Sequence, residues 1–202
     1  MRAPRLILVA VLLAAAAGLA ACDRTPADPL DVLWPVPAFT LTDQTGAAVS
    51  NVDLEGRVWA ADFFFTSCPA ICPLLTRSMG RVRDAVADGL TAGDAALVGF
   101  SLQPEHDTPD VLADYGALHG ADPGRWYLLT GERADIWRIS QEDGFKLAVY
   151  ATDTPDNPIG HDGRISLVDR RGRVRGVYDG LDAEAVQNLI RDMKRLLDDP
   201  GL

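Results

Sequence analysis

Long apolar runs, short polar turns and helical stripes follow one another along this chain and predict its elements. Residues 58–65 (VWAADFFF) and 95–102 (AALVGFSL) are almost unbroken apolar segments, the pattern of strands covered on both faces of a sheet. Ahead of them, residues 39–42 and 47–49 read as a strand pair joined across the turn Asp43-Gln44-Thr45-Gly46. Between the two long runs, Leu74, Leu75, Met79, Val82 and Val86 recur at helical spacing and predict a helix over 73–87. On that stripe Met79 belongs to the core rather than to a metal. Thr108-Pro109 pairs a favoured N-cap with a favoured first helical residue, so a helix starts there and runs through Tyr115 and Leu118. Residues 126–129 predict a short strand, 132–140 a short helix with Ile136 and Trp137 inward, and 145–150 a further strand. Residues 164–169 and 173–178 predict a hairpin across Arg170-Arg171-Gly172. A last helix spans 182–197, with Ala185, Val186, Leu189, Met193 and Leu196 on one face.

This alternation predicts an α/β fold: a central, mostly parallel sheet with flanking helices, an N-terminal strand pair, and a C-terminal antiparallel hairpin plus helix at one edge. A cysteine motif directly after the first buried strand and before a long helix makes the arrangement thioredoxin-like. At 202 residues, 48% hydrophobic and 24% charged, the chain has the size and composition of one globular domain, placed at 38–199.

The start of the chain reads as a targeting segment. Arg2 and Arg5 precede an apolar stretch over 6–19, followed by Leu19-Ala20-Ala21-Cys22, which resembles a bacterial lipobox. The apolar stretch is short for a membrane span, which needs about 20 residues. The expectation is therefore a signal peptide over 1–21, a lipid on Cys22 and a Pro-rich tether over 22–37. The body then lies on the periplasmic face of the inner membrane, where Asp23 resembles a retention signal. Removing Arg2 and Arg5 takes the formal charge from −10 to −12. So acidic a body argues against nucleic acid as a partner and against lying flat on anionic lipid.

With Cys22 assigned to lipid, Cys68 and Cys72 remain, within Phe65-Thr66-Ser67-Cys68-Pro69-Ala70-Ile71-Cys72-Pro73. Both precede prolines, which biases each away from helical geometry. The expectation is a turn over 68–72 and a helix from Pro73 capped by Cys72. A thiol at a helix N-terminus has its pKa lowered, and the thiolate is the form that binds metal or attacks a disulfide. Three uses are open: a structural disulfide, which over so short a loop stabilises little; a thiol–disulfide oxidoreductase; or a metal site. Two thiolates favour Cu(I), and an added imidazole keeps Cu(II) accessible. The histidines are His106, His119 and His161. His106, in a polar loop, and His119, at a helix end, read as surface residues. His161 lies in the loop before the hairpin, and its position alone leaves its role open.

Three separated stretches, FFFTSCPAICPLLT at 63–76, SLQPEHDTPDVLADY at 101–115 and GHDGRISLVDRRGRV at 160–174, resemble the Sco/SenC family of copper-handling, thioredoxin-fold proteins. WYLLTG at 126–131 fits as well, and the resemblance extends over about 38–197. It implies that Cys68, Cys72 and His161 bind a copper ion, and that the chain is a chaperone rather than an enzyme. The implied recipient is the binuclear copper site of cytochrome c oxidase subunit II, with a thioredoxin-like reductant keeping the cysteines open. The rival use is a thiol–disulfide oxidoreductase in which Cys68 attacks and Cys72 resolves. The sequence departs from the family pattern at Gly160, Gln103 and Ala70, where acidic residues are common. Asp156 and Asp162 are the candidates to orient His161 instead.

Overall fold

A computed structural model describes residues 30–141, 144–152, 159–199 and 201. The signal segment, Cys22 and Asp156 lie outside the described residues. In chain order the elements are β1 (Trp34–Pro35), β2 (Thr40–Thr42), β3 (Ala48–Ser50), β4 (Val58–Phe64), α1 (Cys72–Ala85), α2 (Ala87–Ala92), β5 (Ala95–Ser101) and α3 (Pro109–His119). There follow β6 (Trp126–Leu129), α4 (Arg133–Ser140), β7 (Val149–Ala151), β8 (Ile159–His161), β9 (Arg164–Val168), β10 (Arg173–Asp179) and α5 (Ala183–Asp198). A single sheet runs β1-β10-β9-β4-β5-β6. Strands β4, β5 and β6 are parallel, β9 joins β4 antiparallel, and β10 and β1 continue antiparallel outward. The β9–β10 hairpin thus sits one strand in from the edge that β1 closes. The β2–β3 pair forms its own ladder, and β7–β8 a third.

Strands β4 and β5 are buried along their whole length, as their apolar runs require. On one face Phe63 stacks on Phe100 at 4.9 Å, with Phe39 and Phe145 packed edge-on around them. On the other face Phe64 stacks on Tyr115 of α3 at 5.3 Å. There α1 buries Leu75, Met79 and Val82, and α5 buries Val186, Leu189, Met193 and Leu196. The predicted caps are in place: the Thr108 hydroxyl accepts from Val111 N at 3.5 Å with Pro109 opening the helix, and the Asp182 carboxylate accepts from Ala185 N at 2.7 Å.

Two expectations give way for identifiable reasons. Leu74 does not join the inner stripe of α1 and is 48% exposed. Leu75 takes the inward place, and a helical step of about 100° turns its neighbour out. Residues 145–147 are not strand. The N–H groups of Phe145, Lys146 and Leu147 donate to Ile139, Gln141 and Ser140 carbonyls at 2.7–2.9 Å, and Lys146 adopts a positive φ of 54°. Their donors are used to close the C-terminal end of α4, whose carbonyls otherwise lack partners.

The end of the segment expected as tether is held to the sheet. Leu33 N donates to Val174 O at 2.9 Å and Val36 N to Gly172 O at 2.8 Å. The buried Arg175 donates from Nε to the carbonyls of Leu30 and Asp31, while its Nη1 pairs with the equally buried Asp169 at 2.9 Å. Among the described residues no helix is long and apolar enough to cross a membrane.

Asp62 lies inside β4, 3% exposed. Burial pushes its carboxyl up to about 7, with only its own backbone N–H opposing. The folded state therefore binds this proton more tightly than the unfolded chain. Stability is highest in acid, below the unfolded value, and declines as pH rises through about 7. For the reduced, metal-free protein, Asp62→Asn is expected to remove about 2–3 kcal/mol of the stability difference between pH 5 and pH 8. Urea titrations of both proteins at the two pH values measure this; an equal difference in the two would show that Asp62 is ionised at both.

Candidate metal centre

The chain bends as soon as β4 ends. Cys68 N donates to Phe65 O at 3.2 Å, and the Ile71 carbonyl accepts from Leu74 and Leu75 N at 3.0 and 2.9 Å to open α1. Cys72 is the first residue of that helix and Ile71 its cap, a shift of one residue from the expected cap at Cys72. Pro73 tolerates this because its missing N–H falls in the first turn, where no intrahelical acceptor is needed. Both thiols are free and buried, Cys68 at 7% and Cys72 at 1% exposure.

His161 arrives from the opposite direction. Strand β9 pairs antiparallel with β4 in the register Trp59↔Val168, Ala60↔Leu167, Ala61↔Ser166. The start of β9 therefore lies at the C-terminal end of β4, and His161 ends β8 just before it. The arm is seated by a backbone contact, Gly180 N to Gly163 O at 2.8 Å. His161 Nε2 stands 3.5 Å from Cys72 Sγ across 89 residues of sequence. Its Nδ1 lies 2.8 Å from the Asp162 carbonyl. A carbonyl only accepts, so Nδ1 carries the proton and Nε2 presents its lone pair to the sulfur. A tetrahedral ion at usual sulfur and imidazole distances would hold those two atoms about 3.6 Å apart, so the observed spacing fits one shared ion. The Cys68 side chain lies close enough to the Cys72 thiol to raise its pKa. Among the described residues no three His, Cys, Asp or Glu side chains are already closed around a common point, so Cys68, Cys72 and His161 do not stand as a preassembled three-ligand set.

Burial disfavours charge on both Cys72 and His161. Burial, then the neighbouring Cys68 side chain, push the Cys72 thiol above its ordinary range, and Asp62 adds to this when it is ionised. That reverses the expected lowering at a helix N-terminus, because desolvation outweighs the helix dipole here. Burial pulls His161 below its ordinary value, against the opposing effects of the Asp162 carbonyl and charge. A metal ion binding here displaces the Cys72 proton.

Asp162 orients His161 through its main chain. Its carboxylate instead accepts from Ala148 N at 3.0 Å and Arg164 N at 3.3 Å and pairs with the Arg164 guanidinium at 2.5 Å. Gly160 has a steric reason: the Tyr150 ring lies over it, and a Cβ would come within 2.4 Å of ring carbons. Gln103 Oε1 accepts from the Ser67 hydroxyl at 2.8 Å, tying the cysteine loop to the end of β5. His106 and His119 are exposed, as expected, but His106 also bonds to Asp107 beside Thr66. The sequence reading missed Thr66 and Asp107; the only local signal was an Asp placed immediately before the capping Thr108.

A thioredoxin-like α/β domain, with a dithiol on the bend after its central strand and a histidine just ahead of the facing hairpin, defines the class. The SCO1/SenC family model matches residues 35–198, and the chain belongs to that family. It is 32% identical over 169 residues to the SCO1 protein homolog of Bacillus subtilis, covering 83% of this chain and 84% of that protein. It superposes on Bradyrhizobium japonicum ScoI, solved with copper bound, with a TM-score of 0.65 and 27% identity over 80% of this chain and 99% of that one. BsSco, a member of the Sco family of cytochrome c oxidase assembly proteins whose structure was solved for a disulfide switch, superposes with a TM-score of 0.68. It is 28% identical, with 83% of this chain and 96% of that one covered.

The Gly163–Gly180 contact makes a direct prediction. A Cβ on Gly180 would meet Leu75 Cδ1 at 2.4 Å and the Gly163 carbonyl at 2.7 Å, and the carbonyl cannot step aside. Gly180→Ala is expected to cost about 1–3 kcal/mol in a denaturant titration and to weaken metal binding by displacing the His161 arm. A variant as stable as the wild type would mean that the arm relaxes freely.

Proposed function

We propose that this protein is a copper chaperone. It holds one copper ion on Cys68, Cys72 and His161 and passes it by ligand exchange to the binuclear copper site of cytochrome c oxidase subunit II. The observation that carries this reading is the 3.5 Å approach of His161 Nε2 to Cys72 Sγ, with Cys68 at hand to complete the set. Two sulfurs and an imidazole suit copper in both oxidation states. The copper-bound state of the Bradyrhizobium relative and the oxidase-assembly role of the BsSco family support cargo and destination. The lipobox at residues 19–22 supports attachment through Cys22 to the periplasmic face of the inner membrane. In that oxidising compartment the thiols close to a disulfide unless reduced, so loading calls for a thioredoxin-like reductant.

One observation favours a second use. The two thiols are free and lie close enough for Cys68 to act on the Cys72 thiol, with Cys68 the less buried. This is the arrangement of a thiol–disulfide oxidoreductase in which Cys68 attacks and Cys72 resolves. His161 separates the two readings. The reduced full chain in mild detergent is expected to bind one equivalent of copper with a thiolate-to-Cu(II) absorption band. Cys68→Ala, Cys72→Ala and His161→Ala should each abolish or strongly alter that band. If His161→Ala binds copper like the wild type, or the wild type binds none tightly, while disulfide exchange persists, the oxidoreductase reading takes its place.

A further inference from the structure

Beside the bend that carries Cys68 lies a carboxylate outside the ligand set. Asp107, between β5 and α3, has 0% exposure, and both of its oxygens are engaged. Oδ1 accepts from the Thr66 hydroxyl at 2.5 Å and from His106 Nδ1 at 2.9 Å. Oδ2 accepts from the Thr66 backbone N–H at 3.1 Å and from the Ser101 hydroxyl at 2.6 Å. Half of these donors belong to Thr66, two residues ahead of Cys68. Asp107 is itself fixed: its N–H donates to Gln103 O at 2.9 Å, and the next residue caps α3.

An ionised carboxylate taken fully out of water costs several kcal/mol unless its oxygens are satisfied, and hydrogen bonds to a charged acceptor are about twice as strong as neutral ones. The start of α3 does not need Asp107, because Thr108 and Pro109 already supply it. Beside the single Ser67–Gln103 contact, what Asp107 supplies is a buried, twofold attachment for the segment leading into Cys68. Cys72 and His161 have independent supports in α1 and in the β8–β9 arm, whereas Cys68 sits on the bend between β4 and α1.

We propose that Asp107 is a positioning residue of the thiol site: through Thr66 it fixes the bend and so sets where the Cys68 sulfur stands relative to Cys72 and His161. The copper part of this rests on the chaperone reading above; the placement of the thiol does not. The test uses the reduced full chain with cupric ion as probe. In Asp107→Ala the thiolate-to-Cu(II) band is expected to shift or broaden, and copper release to a chelator to accelerate about tenfold or more, the scale of a lost hydrogen bond to a charged group. Thr66→Val, which removes one hydroxyl, should move both in the same direction by less, and it carries the comparison if Asp107→Ala does not fold. Asp169→Asn, at the distant buried carboxylate beside Arg175, should lower the melting temperature but leave band and release unchanged. A copper-free measurement runs in parallel: the Cys68–Cys72 dithiol–disulfide constant against a glutathione buffer should change about tenfold in Asp107→Ala and not in Asp169→Asn. If Asp107→Ala melts lower yet keeps the wild-type band, release rate and disulfide constant, the residue is merely structural and the proposal is overturned. If the wild type shows no copper band while Asp107→Ala still shifts the disulfide constant, the copper reading fails and the positioning role stands.

Discussion

The antiparallel pairing of β9 with β4 is the constraint on which the site depends. One strand delivers the cysteines from its end, and the other delivers the histidine from just before its start. Those two points coincide only if the strands run in opposite directions. Had the hairpin joined the sheet parallel to β4, His161 would lie a full strand length from Cys72. The register is equally demanding, since a slip of one residue would turn Ile165 and Leu167, both fully buried, toward the wrong face. Burial of the hairpin thus secures the alignment of the ligands.

The chemistry of the site follows from the same burial. An unpaired thiolate or imidazolium in this interior would be costly, and desolvation drives Cys72 and His161 toward their neutral forms. The metal-free protein therefore folds without a stranded charge on either of these residues. An arriving cation restores the charged ligand by displacing the proton, so affinity is tied to proton release. Asp62 belongs to the same environment: it too is held neutral until the pH passes about 7, and once ionised it adds to what makes Cys72 hold its proton.

Patterns with a local physical cause were readable from the residues alone. Strands β4 to β6 follow from apolar run length, α3 from Thr108-Pro109, and α5 from its stripe and Asp182. Where backbone donors had a competing use the pattern misled: residues 145–147 alternate like a strand but close α4 instead. At Cys72 the two adjacent rules on proline and helix dipole were both outweighed, one by the tolerance of a first turn and the other by desolvation. Contacts over long sequence separation left almost no trace. Thr66 and Asp107 lie 41 residues apart, and nothing in either segment names the other. His161 could be singled out only by resemblance, because the strand pairing that brings it to Cys72 is a property of the whole sheet.

The clamp of Arg175 on the Leu30 and Asp31 carbonyls sets how far the domain could stand from a lipid on Cys22. Under the proposed anchoring at Cys22, residues 22–29 are all that separate the lipid from the first clamped carbonyl, and fully extended they reach at most about 28 Å. That is comparable to the width of the domain itself, whose radius of gyration for this size is roughly 15 Å. So anchored, the domain would work within one body's width of the bilayer. A recipient would then have to offer its own site at that height, and the search would be confined to a thin layer above the membrane, raising the effective concentration of one partner for the other.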